Sequence, residues 1–259
     1  MRPNRYIIAI LVILVLAGCA SAAAQKKKPA KNSDKDPQYQ FEKGVIALRY
    51  GLTDEAIRYG NLAVSLDPKH YGGHSLLGNA YYKKGDFADA AAAFEKALEL
   101  RPELAEAHFN LGLVSFDTGT LEKAESEFKQ ALAIKEDANT AYYLARVNLG
   151  QKKLDQALDE VQKSLKLDPR APGAYNLKGV VLNQLGRYAE AAGSFQAGLV
   201  LAPDDLNLQI NLGIAHINNN EPDKARPVLE KALPRIQDPA LKTQIESYLK
   251  SIKPPDGGA

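Results

Sequence analysis

Apolar and polar positions fall into distinct regimes along the chain. Residues Tyr6 to Ala17 form one continuous apolar run. Residues 20–36 (ASAAAQKKKPAKNSDKD) are small, polar and lysine-rich, with no apolar period; such composition reads as a flexible tether. From Asp36 onward the pattern repeats. Alanines stand at Ala56, Ala90, Ala124, Ala157, Ala191 and Ala225, at spacings of 34, 34, 33, 34 and 34 residues. Small residues keep step at Gly44, Gly78, Gly112, Ala145, Gly179 and Gly213, and Pro68, Pro102, Pro169 and Pro203 close most units. Six registers agreeing at three positions define a repeat array. After it, Asp238 and Pro239 provide an N-cap and a first helical position. Leu241, Ile245, Tyr248, Leu249 and Ile252 then share one helical face, with Lys242, Glu246 and Lys250 elsewhere. This pattern predicts a solvating cap at the end of a solenoid.

The stretch LGNAYYKKGDFADAAAAFEKALELRP (Leu77 to Pro102) carries nearly every consensus position of the tetratricopeptide repeat, and the resemblance extends over about residues 37–238. It implies an all-α fold, a right-handed superhelical solenoid of about six helix-turn-helix repeats with a C-terminal capping helix. The expected units are 37–70, 71–104, 105–137, 138–171, 172–205 and 206–238, followed by the cap at 239–252 and a disordered tail at 253–259.

Glycine inside a helix costs roughly 0.8–1 kcal/mol relative to alanine, yet five units place one there. Close approach of the second helix compensates, and the expected neighbour is the small alanine of that helix. Gly51, Gly85, Gly119 and Gly186 are expected to end first helices in the left-handed conformation, with Asn220 substituting. Lys152 departs from this rule, and the third unit lacks its proline and is one residue short, which predicts an irregularity near residues 135–153. Tyr81, Phe87, Phe94 and Leu98 are expected in the core.

Charge changes the picture little. With 33 basic and 31 acidic residues the chain is formally +2, so no large field favours nucleic acid. The N-terminus is more informative. Arg2 and Arg5 precede the Tyr6–Ala17 run, which is far short of the ~20 residues that span a bilayer. The run ends in Leu16-Ala17-Gly18-Cys19, which resembles the lipobox of bacterial lipoproteins. That resemblance implies a signal peptide at 1–18 and a lipidated Cys19 at the head of the 19–36 tether. Cys19 is the single cysteine, so lipidation leaves no thiol for a disulfide. Cleavage at Ala20-Ser21-Ala22, or retention of the run as an uncleaved anchor, are the alternatives. An aspartate after the cysteine signals inner-membrane retention in some bacteria; Ala20 stands there instead, so a periplasm-facing outer-membrane location is expected.

Catalytic chemistry is not indicated. His70 and His74 have metal-pair spacing, but Pro68, Gly72 and Gly73 place them across an inter-repeat turn, while His108 and His216 stand in distant units. Neither a phosphate-binding glycine loop nor a nucleophile elbow is present. No cofactor is expected beyond the covalent lipid, nor is a small-molecule substrate.

The remaining candidate is a surface. In tetratricopeptide proteins, positions 2, 5, 6, 9, 12 and 13 of each unit face a concave groove. Here they include Asn79, Asn110, Asn139, Arg146, Asn176, Asn183, Asn207 and Asn211, interleaved with Phe41, Tyr82, Phe109, Phe116, Tyr142 and Tyr143. Asparagine both donates and accepts, so a ladder of them suits an extended peptide backbone, with aromatic anchors beside it. The lysine and arginine positions of the family's acidic-peptide clamp hold Ser75, Asn139 and Tyr143, so that ligand is not expected. The expected partners are a protein or peptide client in the bacterial cell envelope and, through the lipid, the membrane. The overall layout resembles type IV pilus pilotin lipoproteins, although Phe116 and its neighbours lack the paired cysteines that many of them carry near the third repeat. A general envelope adaptor or a soluble secreted carrier are the other readings.

Overall fold

The computed structural model describes residues 33–252. The signal peptide expected at 1–18, Cys19, most of the expected tether and the expected tail at 253–259 lie outside the described residues. Thirteen α-helices follow one another among the described residues: α1 (Pro37–Arg49), α2 (Thr53–Leu66), α3 (Tyr71–Lys84), α4 (Phe87–Leu100), α5 (Ala105–Asp117), α6 (Leu121–Ile134), α7 (Ala138–Gly150), α8 (Leu154–Leu167), α9 (Pro172–Gln184), α10 (Tyr188–Leu201), α11 (Leu206–Asn218), α12 (Pro222–Ala232) and α13 (Pro239–Ser251). No strand occurs among these residues, and no helix is long and apolar enough to cross a membrane. Each first helix packs on the second helix of its own unit, and each second helix on the first of the next. The buried side chains form five successive clusters along the array, as a quasi-one-dimensional fold requires.

The turn between paired helices needs one left-handed residue. Gly51, Gly85, Gly119 and Gly186 supply it with φ between 75° and 89°, and Asn220 with φ 56°. Lys152 takes the same conformation at φ 61°, so the geometry is retained there against the ~1–2 kcal/mol that a Cβ adds in this region. The irregularity expected at 135–153 is confined to the connection Lys135–Asp137, where three residues replace the longer inter-repeat turn. Asp137 Oδ2 accepts from the Thr140 amide (2.8 Å) and hydroxyl (2.9 Å), starting α7. Glu125 accepts from Lys129 one turn along its own helix (2.6 Å) and from Lys153 at the turn between α7 and α8 (2.7 Å), the latter joining the third unit to the fourth.

The neighbour of the mid-helix glycines is not the alanine expected. A Cβ on Gly78 would lie 2.6 Å from the Phe94 ring, one on Gly112 2.7 Å from Phe128, and those on Gly179 and Gly213 against Phe195 and Leu229. The partner stands sixteen residues on, and its bulk fills the space that the glycine leaves. In the fourth unit the same register holds Ala145 and Val161, both fully buried in one cluster. From the second unit to the sixth the larger residue on one helix is thus matched by a smaller one on the other. The first unit instead sets Gly44 opposite Gly60, and a Cβ on Gly44 would meet Leu76 of the next unit.

The tether expected to run to residue 36 ends earlier. Ser33–Lys35 forms a 3-10 turn, and the buried Gln40 donates to the Asp34 carbonyl (2.8 Å). Asp36 then caps α1 through the Gln38 amide (3.0 Å). At the other end α13 covers the last repeat with Ile245 and Leu249 buried. Arg226 Nη2 donates to the carbonyls of Leu249 (3.0 Å) and Ile252 (2.6 Å), satisfying acceptors that a helix C-terminus leaves open.

Candidate peptide-binding groove

Successive first helices (α1, α3, α5, α7, α9, α11) touch one another along the array, whereas successive second helices do not approach to the same extent. The first helices therefore line the inner, shorter-radius surface. A cleft of about 370 Å³ opens on it across the first three units, floored by Phe41, Val45, Leu48 and Leu76 and edged by Asn79 and Asn110. A second, of about 510 Å³, lies between the fourth and fifth units beside Asn139, Tyr142, Ala171 and Gly173.

Of the groove residues expected from sequence, Asn139 and Asn207 are exposed. Asn79, Tyr82, Phe109, Asn110, Phe116, Tyr142, Tyr143, Arg146, Asn176, Asn183 and Asn211 are all half-buried. The asparagines do not stand as independent rungs. Asn110 Nδ2 donates to Asn79 Oδ1 (2.9 Å), Asn211 to Asn176 (2.9 Å) and Asn218 to Asn183 (3.1 Å), each pair bridging neighbouring units. Tyr82 donates its hydroxyl to Asp117 Oδ2 (2.6 Å). Burial, then the Asp117 carboxylate, push the Tyr82 phenol well above its ordinary range, so it remains a neutral donor.

The middle of the groove is aromatic. Tyr143 meets Phe109 edge-on with ring centres 5.7 Å apart, Phe116 at 6.2 Å and Tyr142 at 5.6 Å, and stacks on the buried Phe128 at 5.9 Å. Arg146 lies over Phe116, Tyr143 and Tyr142, with its guanidinium carbon 4.7, 5.2 and 5.8 Å from the ring centres. Phe109, Phe116 and Tyr143 are thus partly structural, packing on the third-unit cluster while remaining half-buried rather than fully enclosed.

The histidines take local roles. His70 Nδ1 accepts from the Gly73 amide (2.8 Å) as the cap of α3, leaving Nε2 as the donor to Gln38 (3.2 Å). His74 bonds the Pro68 carbonyl (3.1 Å), His108 pairs with Glu127 (2.7 Å), and the buried His216 with Glu221 (2.8 Å). Among the described residues, no group of three or more His, Cys, Asp or Glu is placed to hold a metal. Sequence reasoning missed Asp117 as the Tyr82 partner. It also missed the contribution of the α8–α9 connection to the second cleft, for which the small residues Ala171 and Gly173 are the only signal.

Comparison with known proteins agrees with this architecture. One tetratricopeptide repeat model matches residues 75–139 and 142–205, and a second such model matches 182–244. The chain belongs to the tetratricopeptide repeat family. The TPR repeat-containing protein MJ1428 of Methanocaldococcus jannaschii is 24% identical over 233 residues, covering 86% of this chain but 41% of its own length. Among solved structures, pilF of Pseudomonas aeruginosa superposes with a TM-score of 0.72 at 18% identity, covering 84% of this chain and 99% of that one. YrrB, described as a TPR protein with an unusual peptide-binding site, gives 0.65 at 23% identity, covering 73% and 97%. At these identities the solved structures establish the fold. Tetratricopeptide arrays as a class present extended concave surfaces to protein partners.

Proposed function

We propose that this tetratricopeptide chain is a non-enzymatic envelope lipoprotein, tethered through Cys19, whose groove holds a segment of a client protein. The observation that carries the reading is the aromatic platform of Phe116, Tyr142, Tyr143 and Arg146, half-buried at the centre of an otherwise asparagine-lined concave face. Aromatic and arginine side chains in such a position are the usual anchors of protein interfaces. The lipid would hold the groove at the membrane and raise the client's effective concentration without any new contact. The anchor rests on the Leu16-Ala17-Gly18-Cys19 sequence, and Ala20 favours the outer membrane.

A pilotin role in type IV pilus secretin assembly is the second reading. The order of lipobox, tether and repeats supports it, together with the likeness to pilF along nearly that protein's whole length. A soluble secreted carrier is the reading if Cys19 is unmodified. The test is a crosslinked pull-down from native membranes with wild type, Cys19→Ala and Tyr142→Ala/Tyr143→Ala, alongside intact-mass analysis. The adaptor reading expects an acylated mass, client loss in both variants, and release of Cys19→Ala from membranes. A secretin among clients selects the pilotin role. An unacylated chain removes the anchor, and clients retained by the groove variant remove the groove.

A further inference from the structure

Two arginines are half-buried among the described residues, Arg146 and Arg226. Arg226 is fully engaged, with Glu230 at 2.9 Å and two backbone carbonyls. Arg146 has aromatic faces around it and no hydrogen-bond or carboxylate partner among the described residues. Stacking on rings occupies the faces of the guanidinium and leaves its in-plane N–H donors for a planar anion. At the groove-facing positions of the fourth to sixth units, no other side chain is charged. The acids on the adjoining positions, Asp117, Asp137 and Asp168, each already accept a hydrogen bond, from Tyr82, Thr140 and Arg170. A partly desolvated cation with no carboxylate partner among the described residues is complementary to a single negative charge, and the fork of donors fits a carboxylate in particular.

Resting on the peptide-binding reading above, we infer that Arg146 is the specificity element of the groove. Its ligand is an extended peptide segment bearing one carboxylate next to an apolar side chain. The carboxylate meets the Arg146 fork. The apolar neighbour enters the cleft of about 510 Å³ beside Tyr142, Ala171 and Gly173, since Tyr142 lies both in that cleft and under the guanidinium. Asp137 and Asp168 line the same cleft, each already accepting a backbone amide, from Thr140 and Arg170. They repel a second acid, so the groove selects a lone carboxylate and rejects an acidic run.

The carboxylate comes from a Glu or Asp side chain or from a chain terminus, and two random peptide display libraries separate these sources, one with free and one with blocked C-termini. Both are panned on the wild-type protein, on Arg146→Gln and on Tyr142→Ala/Tyr143→Ala. The Arg146 side chain makes no hydrogen bond among the described residues, so Arg146→Gln retains the fold, which circular dichroism verifies. The expected pool carries one acid at a fixed register beside an apolar residue in both libraries, or comes from the free-terminus library alone if the terminus is the source. A synthetic peptide from that pool should bind Arg146→Gln about 10- to 100-fold more weakly. Its Glu→Gln (or C-terminal amide) form should bind wild type equally weakly and lose nothing further on the variant, and Arg146→Lys should recover part of the affinity. Groove-dependent peptides with no acid preference, or with runs of acids, overturn this inference and leave the peptide-binding reading standing. Peptides indifferent to Tyr142→Ala/Tyr143→Ala overturn both.

Discussion

The close pairing of Gly78 with Phe94 makes a quantitative prediction. Gly78→Ala places a Cβ 2.6 Å from two carbons of a fully buried ring, well inside ordinary van der Waals contact. Better helix propensity gains about 0.8–1 kcal/mol, and displacing the ring costs about 1–3 kcal/mol, for a net loss near 1 kcal/mol. Phe94→Val removes much of that ring and leaves a cavity. With Phe→Ala costing about 3–5 kcal/mol, the truncation to valine should cost roughly 2–3 kcal/mol. The double variant re-creates the Ala145–Val161 pair of the fourth unit. Its added methyl group no longer meets the ring, fills part of the cavity and keeps the propensity gain, so the double should be no less stable than Phe94→Val alone. The coupling expected is therefore about 2 kcal/mol in favour of the double. Urea denaturation followed by far-UV circular dichroism on all four proteins, fitted with a nearest-neighbour repeat model, measures it. Additivity within about 0.5 kcal/mol would refute the argument that steric complementarity sixteen residues apart sets the helix spacing.

Three further outcomes follow from single sites. Lys152→Gly relieves a left-handed backbone at φ 61° on an exposed side chain and should stabilise the fold by about 0.5–1 kcal/mol, seen as a raised Tm. Arg226→Met frees the Leu249 and Ile252 carbonyls and should loosen α13 by about 1–3 kcal/mol; amide exchange should accelerate in 239–251 and stay unchanged in α3–α10. Glu125 is held down to about 2 by its hydrogen bonds to Lys129 and Lys153. A lowered folded-state pKa contributes stability above the unfolded value of roughly 4.3 that disappears as pH falls toward 2. Glu125→Gln should flatten the acid limb of a stability–pH curve in that window, and an unchanged limb would count against the bridge.

Legibility from sequence differed by feature, for physical reasons. The period, the left-handed turn residues and the capping helix follow from local backbone demands, so Gly85, Asn220, Asp238 and Pro239 announce them directly. The partner of each mid-helix glycine depends instead on how two helices are set against each other. The signal was present only in part: the unit that replaces glycine by Ala145 also replaces the aromatic or leucine by Val161, but the first unit keeps Gly44 and holds Gly60 at the partner position. The short third unit raised the prospect of wider distortion than occurs. Asp137 restarts the next helix at once, and the displacement is absorbed within Lys135–Asp137. For the groove, residue types were legible because groove-facing positions recur with the repeat. Their mutual bonding was not, since spacing by one unit fixes proximity but not which amide nitrogen faces which oxygen.

That bonding changes how the asparagines would act. An asparagine pair offers four N–H donors and four acceptor sites, and the Asn79–Asn110 bond engages one of each. Three donors and three acceptor sites remain, now on side chains whose rotamers are already fixed by the neighbouring repeat. Ordering a free side chain at an interface costs about 0.5–1.5 kcal/mol, and the cross-unit pairs have met that cost in the unbound solenoid. On the peptide-binding reading proposed above, the pairs would make the groove a preorganised surface for a backbone, leaving the aromatic cluster and Arg146, whose side chain has no hydrogen-bond partner among the described residues, to determine which backbone it accepts.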